Sequence, residues 1–248
     1  MTIGIIDSGL GGYSIYHALH QAYPKASFHF LADQKNAPYG NKTAEEIKVI
    51  ATKNIAWFKS NGIKEIVIAC NTMNAVALDY LKTTFPDIKF HDVVYPTVRQ
   101  LETLNFTSIL VVATHLTIQS DIYAKTMHAI FPNITVKSIA LPELVQKIES
   151  LASKTEIVAY LNTCLHIEDV SYEGLILGCT HYPLAIDAFA EIFNQTIIDS
   201  ITVMTQLFKD KQLDEGMSYC FTTKDSEFAK HQVLQLFQIN EDFTKIEV

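Results

Sequence analysis

The chain has 248 residues, a net charge of −8, 48% apolar residues and 19% charged ones. This is the composition of a globular protein with material for one large domain or two modest ones, and it excludes a disordered chain. The acidic balance excludes a nucleic-acid surface, which needs a basic stripe. No apolar run approaches the roughly 18 residues of a membrane span.

The N-terminal "MTIGIIDSGLGG" lacks the basic start and long apolar stretch of a secretion signal. A strand is predicted over residues 3–6, followed by the glycine-rich "DSGLGG" (7–12). That turn fits neither GxGxxG nor the P-loop, so it reads as close backbone approach to a carboxylate at a helix start. A second strand, 27–31, leads into "APYGNKT" (37–43) and a helix over 43–61, where Thr43 and Glu46 have capping-box spacing. A third strand, 66–69, ends in Cys70, Asn71 and Thr72 before a helix over 74–84, and a weaker strand lies at 90–93.

The second half repeats this alternation. Strands are predicted at 109–113, 175–177 and 197–198, with a weaker one at 135–139, and helices at 120–131 and 142–150. "IGIIDS" (3–8) resembles "ILVVAT" (109–114), and "IVIACNT" (66–72) resembles "LILGCTH" (175–181), at nearly equal offsets. Apolar strands alternating with amphipathic helices indicate parallel α/β sheets, and the repeat indicates two halves built alike. No glycine- or serine-rich linker separates them, so a tight interface with one shared cleft is expected.

Ligands of open α/β sheets sit beyond the carboxyl ends of the strands. Asp7 and Ser8, then Cys70, Asn71 and Thr72, then Thr114 to Thr117, then Cys179, Thr180 and His181 fall at four such ends. Any one cluster alone would be a helix cap. Four together point to a site.

Of four cysteines, Cys164 and Cys220 read as small core residues, and the absence of CxxC pairs indicates reduced thiols in a cytoplasmic protein. Cys70 and Cys179 stand where a strand meets a helix, and the helix dipole there favours thiolate. Asp7 and His181 are candidate proton partners. Three chemistries remain open for the pair. Two thiols on opposite faces of one carbon can invert it, one taking a proton and the other giving one. Cys179 with His181 can instead serve a hydrolase as its nucleophile. Cys70, Cys179 and His181 can also be read as metal ligands, although no compact ligand spacing supports a metal. A non-catalytic amino-acid binding protein is the reading from a further class.

"GIIDSGLGG" (4–12), "APYGNKT" (37–43), "ACNTMNA" (69–75), "ATHLTIQSDIY" (113–123) and "LGCTHYPL" (177–184) together resemble the glutamate racemases, within the aspartate/glutamate racemase family. "YCFTTKD" (219–225) is similar to that family's final strand and turn. The resemblance implies a cofactor-independent isomerase interconverting L- and D-glutamate for peptidoglycan synthesis, and hence for the cell wall and cell shape. It implies Cys70 and Cys179 as the two acid/base thiols, the first handling the D-enantiomer's proton and the second the L-enantiomer's. Asp7 then assists Cys70, while His181 and Glu149 assist Cys179. Glu149 rests on "LPELVQKIE" (141–149), where Leu141 replaces a family cysteine. The implied substrate contacts are Ser8, Pro38, Tyr39, Gly40, Asn71, Thr72, Thr114, Thr117 and Thr180. No arginine is among them, and the chain's single arginine is Arg99. Hydroxyls, amides and backbone N–H groups must then hold the anion. The expected partners are a small-molecule substrate and a second copy of the chain in a homodimer, with no nucleic acid, membrane or metal. The expected fold is two similar doubly wound α/β domains with mainly parallel sheets, related by a pseudo-two-fold axis, with the site in the cleft between them. The first would span 1–93 plus 205–248 and the second 94–204.

Overall fold

A computed structural model describes residues 2–166 and 171–248. Among the described residues ten strands form two wholly parallel sheets. The first has the order β10-β9-β2-β1-β3-β4, from β1 (Ile3–Asp7), β2 (Phe28–Ala32), β3 (Glu65–Ile68), β4 (Lys89–His91), β9 (Tyr219–Thr222) and β10 (Phe243–Lys245). The second has the order β6-β5-β7-β8, from β5 (Ser108–Ala113), β6 (Thr135–Ala140), β7 (Gly174–Gly178) and β8 (Thr196–Ile198). The segment β2-β1-β3-β4 recurs strand for strand as β6-β5-β7-β8. The repeated motifs of the sequence occupy β1 and β5 in one case and β3 and β7 in the other. The protein is therefore built from two α/β domains with parallel sheets.

Alternation along each strand divides its side chains between two buried faces. Ile3, Ile5, Phe28 and Phe30 pack on one face of the first sheet, and Ile6, Leu31, Ile66 and Ile68 on the other. The second sheet does the same with Leu110, Val112, Leu175 and Leu177 against Ile109, Val111 and Ile176. Each such side chain contributes about 1.5–3 kcal/mol by leaving water. Burial of both sheets' faces is what makes the strands read as unbroken apolar runs.

The helices follow local chemistry. Helix α2 (Ala44–Ser60) begins at Thr43, whose hydroxyl accepts from Glu46 N–H at 3.2 Å while Glu46 accepts from Thr43 N–H at 2.8 Å. Helix α3 (Asn71–Thr84) starts three residues earlier than the periodicity predicts, because the Cys70 sulfur itself caps it, accepting from Met73 N–H at 3.5 Å. The single helix expected over 120–131 is two, α5 (His115–Ser120) and α6 (Ile122–Ile130), divided at Asp121 with φ of 61°. Ser120 causes the break. Its hydroxyl donates to Thr117 C=O and accepts from Ile122 N–H, competing with the helical ladder. Helices α1 (Tyr13–Ala22), α4 (Val94–Arg99), α7 (Leu144–Glu149), α8 (Lys154–Cys164), α9 (Ile186–Ile192), α10 (Ile201–Gln206) and α11 (Ser226–Phe237) complete the layers. No helix among the described residues is long and apolar enough to cross a membrane.

One charged cluster is buried away from the strand ends that carry the cysteines. Glu65 on β3 accepts from His91 Nε2 at 2.5 Å, Lys211 Nζ at 2.8 Å and lies 3.2 Å from Lys89 Nζ. Burial opposes its ionisation, but the bonds from Lys211, His91 and Lys89 outweigh that and hold the carboxyl at about 2. A carboxyl depressed from 4.5 stabilises the fold above pH 4.5, and that contribution disappears as pH falls toward 2. Glu65→Gln is expected to lower stability at pH 7 by about 2 kcal/mol. In denaturation experiments the gap from the parent should close as the pH is taken below 4.

Candidate active site

Cys70 and Cys179 occupy equivalent places, one just past β3 of the first sheet and the other just past β7 of the second. Both line one small cavity of about 30 Å³, although each is less than a tenth exposed. The first domain's side of the wall carries Ser8, the backbone turn Pro38–Tyr39–Gly40, Asn71 and Thr72. The second supplies Thr114, Thr180 and His181, together with Val145, which the sequence reading did not single out.

Three residues named from sequence stand behind or beside this wall. Asp7 is fully buried and accepts from Gly9 N–H at 3.0 Å and from the Thr180 hydroxyl at 3.2 Å, joining the two domains. Thr117 is buried behind Thr72 and Thr114. The three hydroxyls form a triangle with edges of 3.0, 3.2 and 2.9 Å that also crosses between domains. Glu149, at the end of α7, lies in an adjoining outer pocket and bonds His181 Nε2 at 3.0 Å. Arg99 lines neither cavity. Its guanidinium is engaged by Glu102 and Tyr95 on the surface.

The two thiols have different neighbours. Cys70 donates to Ser8 Oγ at 3.6 Å. Burial first and the Asp7 charge second push its thiol up to about 12, and the Met73 and Ser8 bonds only partly offset this. The helix dipole alone predicts a depressed thiol, so desolvation wins here. Asp7 is itself raised by burial, despite opposing contributions from His181, Gly9, Gly12 and Thr180. Cys179 is followed by a tight turn over 182–185 before α9 starts at Ile186, so it lacks the direct helix cap of Cys70. Its neighbour is His181. Burial works against the imidazolium, but contacts with Cys179 and Glu149 prevail and raise His181 to about 10. Burial likewise opposes the Glu149 carboxylate, and His181 more than compensates, so Glu149 is lowered. Near neutral pH this side carries an imidazolium braced by a carboxylate, and the Cys70 side a protonated thiol.

The glycine-rich turn owes its composition to this packing. A Cβ on Gly11 would lie 2.5 Å from Thr180 Oγ1 and clash with His181 Nδ1. One on Gly12 would lie 2.5 Å from Asp7 Cβ. Only glycine lets the first domain's loop press against the second domain's turn at Thr180 and His181.

The model of the family described as Asp/Glu/Hydantoin racemase matches residues 3–208. The chain belongs to that family. A glutamate racemase from Staphylococcus epidermidis is 36% identical over 205 residues, covering 80% of this chain and 76% of that protein. One from Roseiflexus is 30% identical over 239 residues, covering 91% and 88%. Among solved structures, a glutamate racemase isoform from Bacillus anthracis superposes with a TM-score of 0.91 at 26% identity, over 100% of this chain and 97% of that one. A Francisella tularensis glutamate racemase in complex with D-glutamate gives 0.90 at 27% identity, over 99% and 97%. This member of the racemase family is thus an isomerase, an amino-acid racemase. That decides against the hydrolase and binding-protein readings of the cysteines.

Two features of this racemase were not singled out as site residues from the sequence. Tyr123, fully buried in α6 of the second domain, donates its hydroxyl to Asn71 Oδ1 at 2.6 Å across the interface. The Asn71 amide nitrogen is buried with no hydrogen-bond partner among the described residues. The second is a network behind the Pro38–Tyr39–Gly40 wall. Buried Asp33 accepts from the Tyr39 hydroxyl at 2.5 Å, Asn54 Nδ2 at 3.0 Å, Asn36 Nδ2 at 2.9 Å and the Thr223 hydroxyl at 2.8 Å. No sequence spacing links residues 33, 54 and 223. Only the fold brings them together.

Proposed function

We propose that this chain interconverts L- and D-glutamate by transferring a proton between Cys70 and Cys179 across the substrate's α-carbon, without a cofactor. The single observation that carries the reading is one cavity lined by both thiols, each delivered by the equivalent strand of a repeated domain. In one direction a thiolate takes the α-proton, the C–H electron pair moves into the adjacent carboxylate system, and the opposite thiol donates its proton to the other face. The reverse reaction exchanges the roles, which is why near-equivalent groups on both sides suit a racemase. Asp7 serves Cys70, and the His181–Glu149 pair serves Cys179.

The cavity is equipped for an anion without an arginine. Thr72, Thr114 and Thr180 offer hydroxyls, and the orphaned Asn71 amide is a buried donor that a substrate carboxylate would satisfy. Fixed donors around that carboxylate also stabilise the charge that develops when the α-proton leaves. Glutamate is favoured as the substrate by the curated relatives, which are named glutamate racemases. On this reading the protein works in the cytoplasm as a homodimer and supplies D-glutamate for peptidoglycan, the cell wall and cell shape.

In deuterated buffer without added pyridoxal phosphate, both enantiomers of glutamate are expected to gain deuterium at Cα, followed by mass spectrometry, while circular dichroism decays to zero. Failure of either enantiomer to exchange overturns the proposal. A finer test concerns Tyr123. Its hydroxyl occupies Asn71 Oδ1 and so directs the amide nitrogen inward. Tyr123→Phe is expected to raise KM about fivefold for both enantiomers, the equivalent of one lost hydrogen bond, with kcat nearly unchanged.

A further inference from the structure

The inner cavity adjoins an outer one of about 400 Å³, the two sharing Pro38, Gly40, Thr114 and Val145 as their common rim. An anionic substrate that enters past this shared rim meets the vestibule before the thiols. The protein it approaches carries a net charge of −8, which repels it. Lys224, in the turn between β9 and α11, is the one lysine or arginine among the residues lining either space. It makes no ion pair among the described residues. The neighbouring Asp225 carboxylate is occupied in capping α11, accepting from Phe228 N–H at 2.9 Å. The ammonium lies 4.0 Å from the Phe228 ring centroid, a cation–π contact that holds it over the mouth without neutralising it. Of the other polar lining groups, Gln34 and Gln232 bond each other at 2.7 Å, and Asn41, Thr114, His115 and Gln146 complete the set, with no further lysine or arginine. Glu149 is the vestibule's carboxylate; His181 bonds it directly, and the Lys224 charge acts on it at longer range without a salt bridge.

We infer that Lys224 is a capture residue, which concentrates the substrate's carboxylates at the vestibule and sets kcat/KM without taking part in the proton transfers. This rests on the reading of the substrate as an anionic amino acid. A cation held at the gate outside any ion pair among the described residues acts on encounter and binding, because its attraction is the same for ground state and transition state.

The test is steady-state racemisation of both glutamate enantiomers by the parent and by Lys224→Gln, Lys224→Glu and Lys224→Arg, at low and high ionic strength. At low salt kcat/KM is expected to fall about fivefold in Lys224→Gln and about 25-fold in Lys224→Glu, with kcat within about twofold and Lys224→Arg close to the parent. The gaps should narrow as salt approaches about 0.5 M, where screening removes exposed-charge effects. The inference is overturned if kcat/KM at low salt is the same in all four proteins. It is equally overturned if the loss sits in kcat and is indifferent to salt, which would make Lys224 a support for Glu149 instead. A parent that exchanged aspartate and not glutamate would sink the proposed substrate, and the same comparison would then be read with aspartate.

Discussion

Cys70→Ala and Cys179→Ala are each expected to lose racemisation by about 10³-fold or more while retaining a parent-like melting temperature. The substitution removes one sulfur from the cavity wall and, at Cys70, the cap of α3, which costs about 1 kcal/mol and lowers the melting temperature by a few degrees at most. Loss of rate alone would not separate two acid/base thiols from one nucleophile with a bystander, so the informative measurement is exchange without inversion. A variant holding one thiol can still take the proton from the enantiomer that faces it and return deuterium to the same side. Cys70→Ala is therefore expected to wash deuterium into L-glutamate and not D-glutamate, and Cys179→Ala to show the opposite preference. Serine in place of either cysteine should leave slow activity at most, because a hydroxyl is a far poorer base near neutral pH. Racemisation at the parent rate in either alanine variant would end the two-base scheme.

The cysteines were visible in the sequence for a physical reason that does not extend to the whole site. A buried parallel strand is apolar on both faces, so its end is marked where the run stops at small polar residues. Asp7, Cys70, Thr114 and Cys179 all stand at such stops. The domain repeat was legible for the same reason, since β1 and β5, and β3 and β7, occupy like positions in like sheets. Contacts made across the domain interface left no such mark. Tyr123 lies within an ordinary amphipathic helix, and its role depends on Asn71, which belongs to the other domain. Lys224 looks like any turn lysine until β9 is placed beside β2, which sets the turn next to the vestibule. The protonation state of Cys70 was also beyond the reach of position in sequence. A helix N-terminus predicts a lowered thiol, and only the depth of burial and the neighbouring Asp7 reverse the sign. Glu149 is an intermediate case. The motif that suggested it had lost its cysteine at Leu141, yet the fold brings its carboxylate to 3.0 Å from His181.

That contact carries the second large effect, because His181 is the cation of the site. Its imidazolium is sustained up to about 10 in spite of burial, through Cys179 and Glu149. A histidine raised above its ordinary 6.5 contributes its full stabilisation below pH 6.5, and the contribution is lost as pH rises through about 10. His181→Asn, which keeps a polar side chain but cannot become a cation, is expected to slow racemisation by about 10²- to 10³-fold. Its stability should fall at pH 7 and converge on that of the parent at alkaline pH. Glu149→Gln separates charge from geometry. The amide can still accept from His181, so the ring stays in place, but the negative charge that held its proton is gone. The alkaline limb of the rate profile is then expected to move toward neutrality by about one pH unit or more, with less than about a tenfold loss at pH 7. Superimposable pH profiles for Glu149→Gln and the parent would mean that Glu149 only fills space beside His181. The cation would then have to be maintained by Cys179 alone, and the asymmetry between the two halves of the site would lie in the thiols themselves.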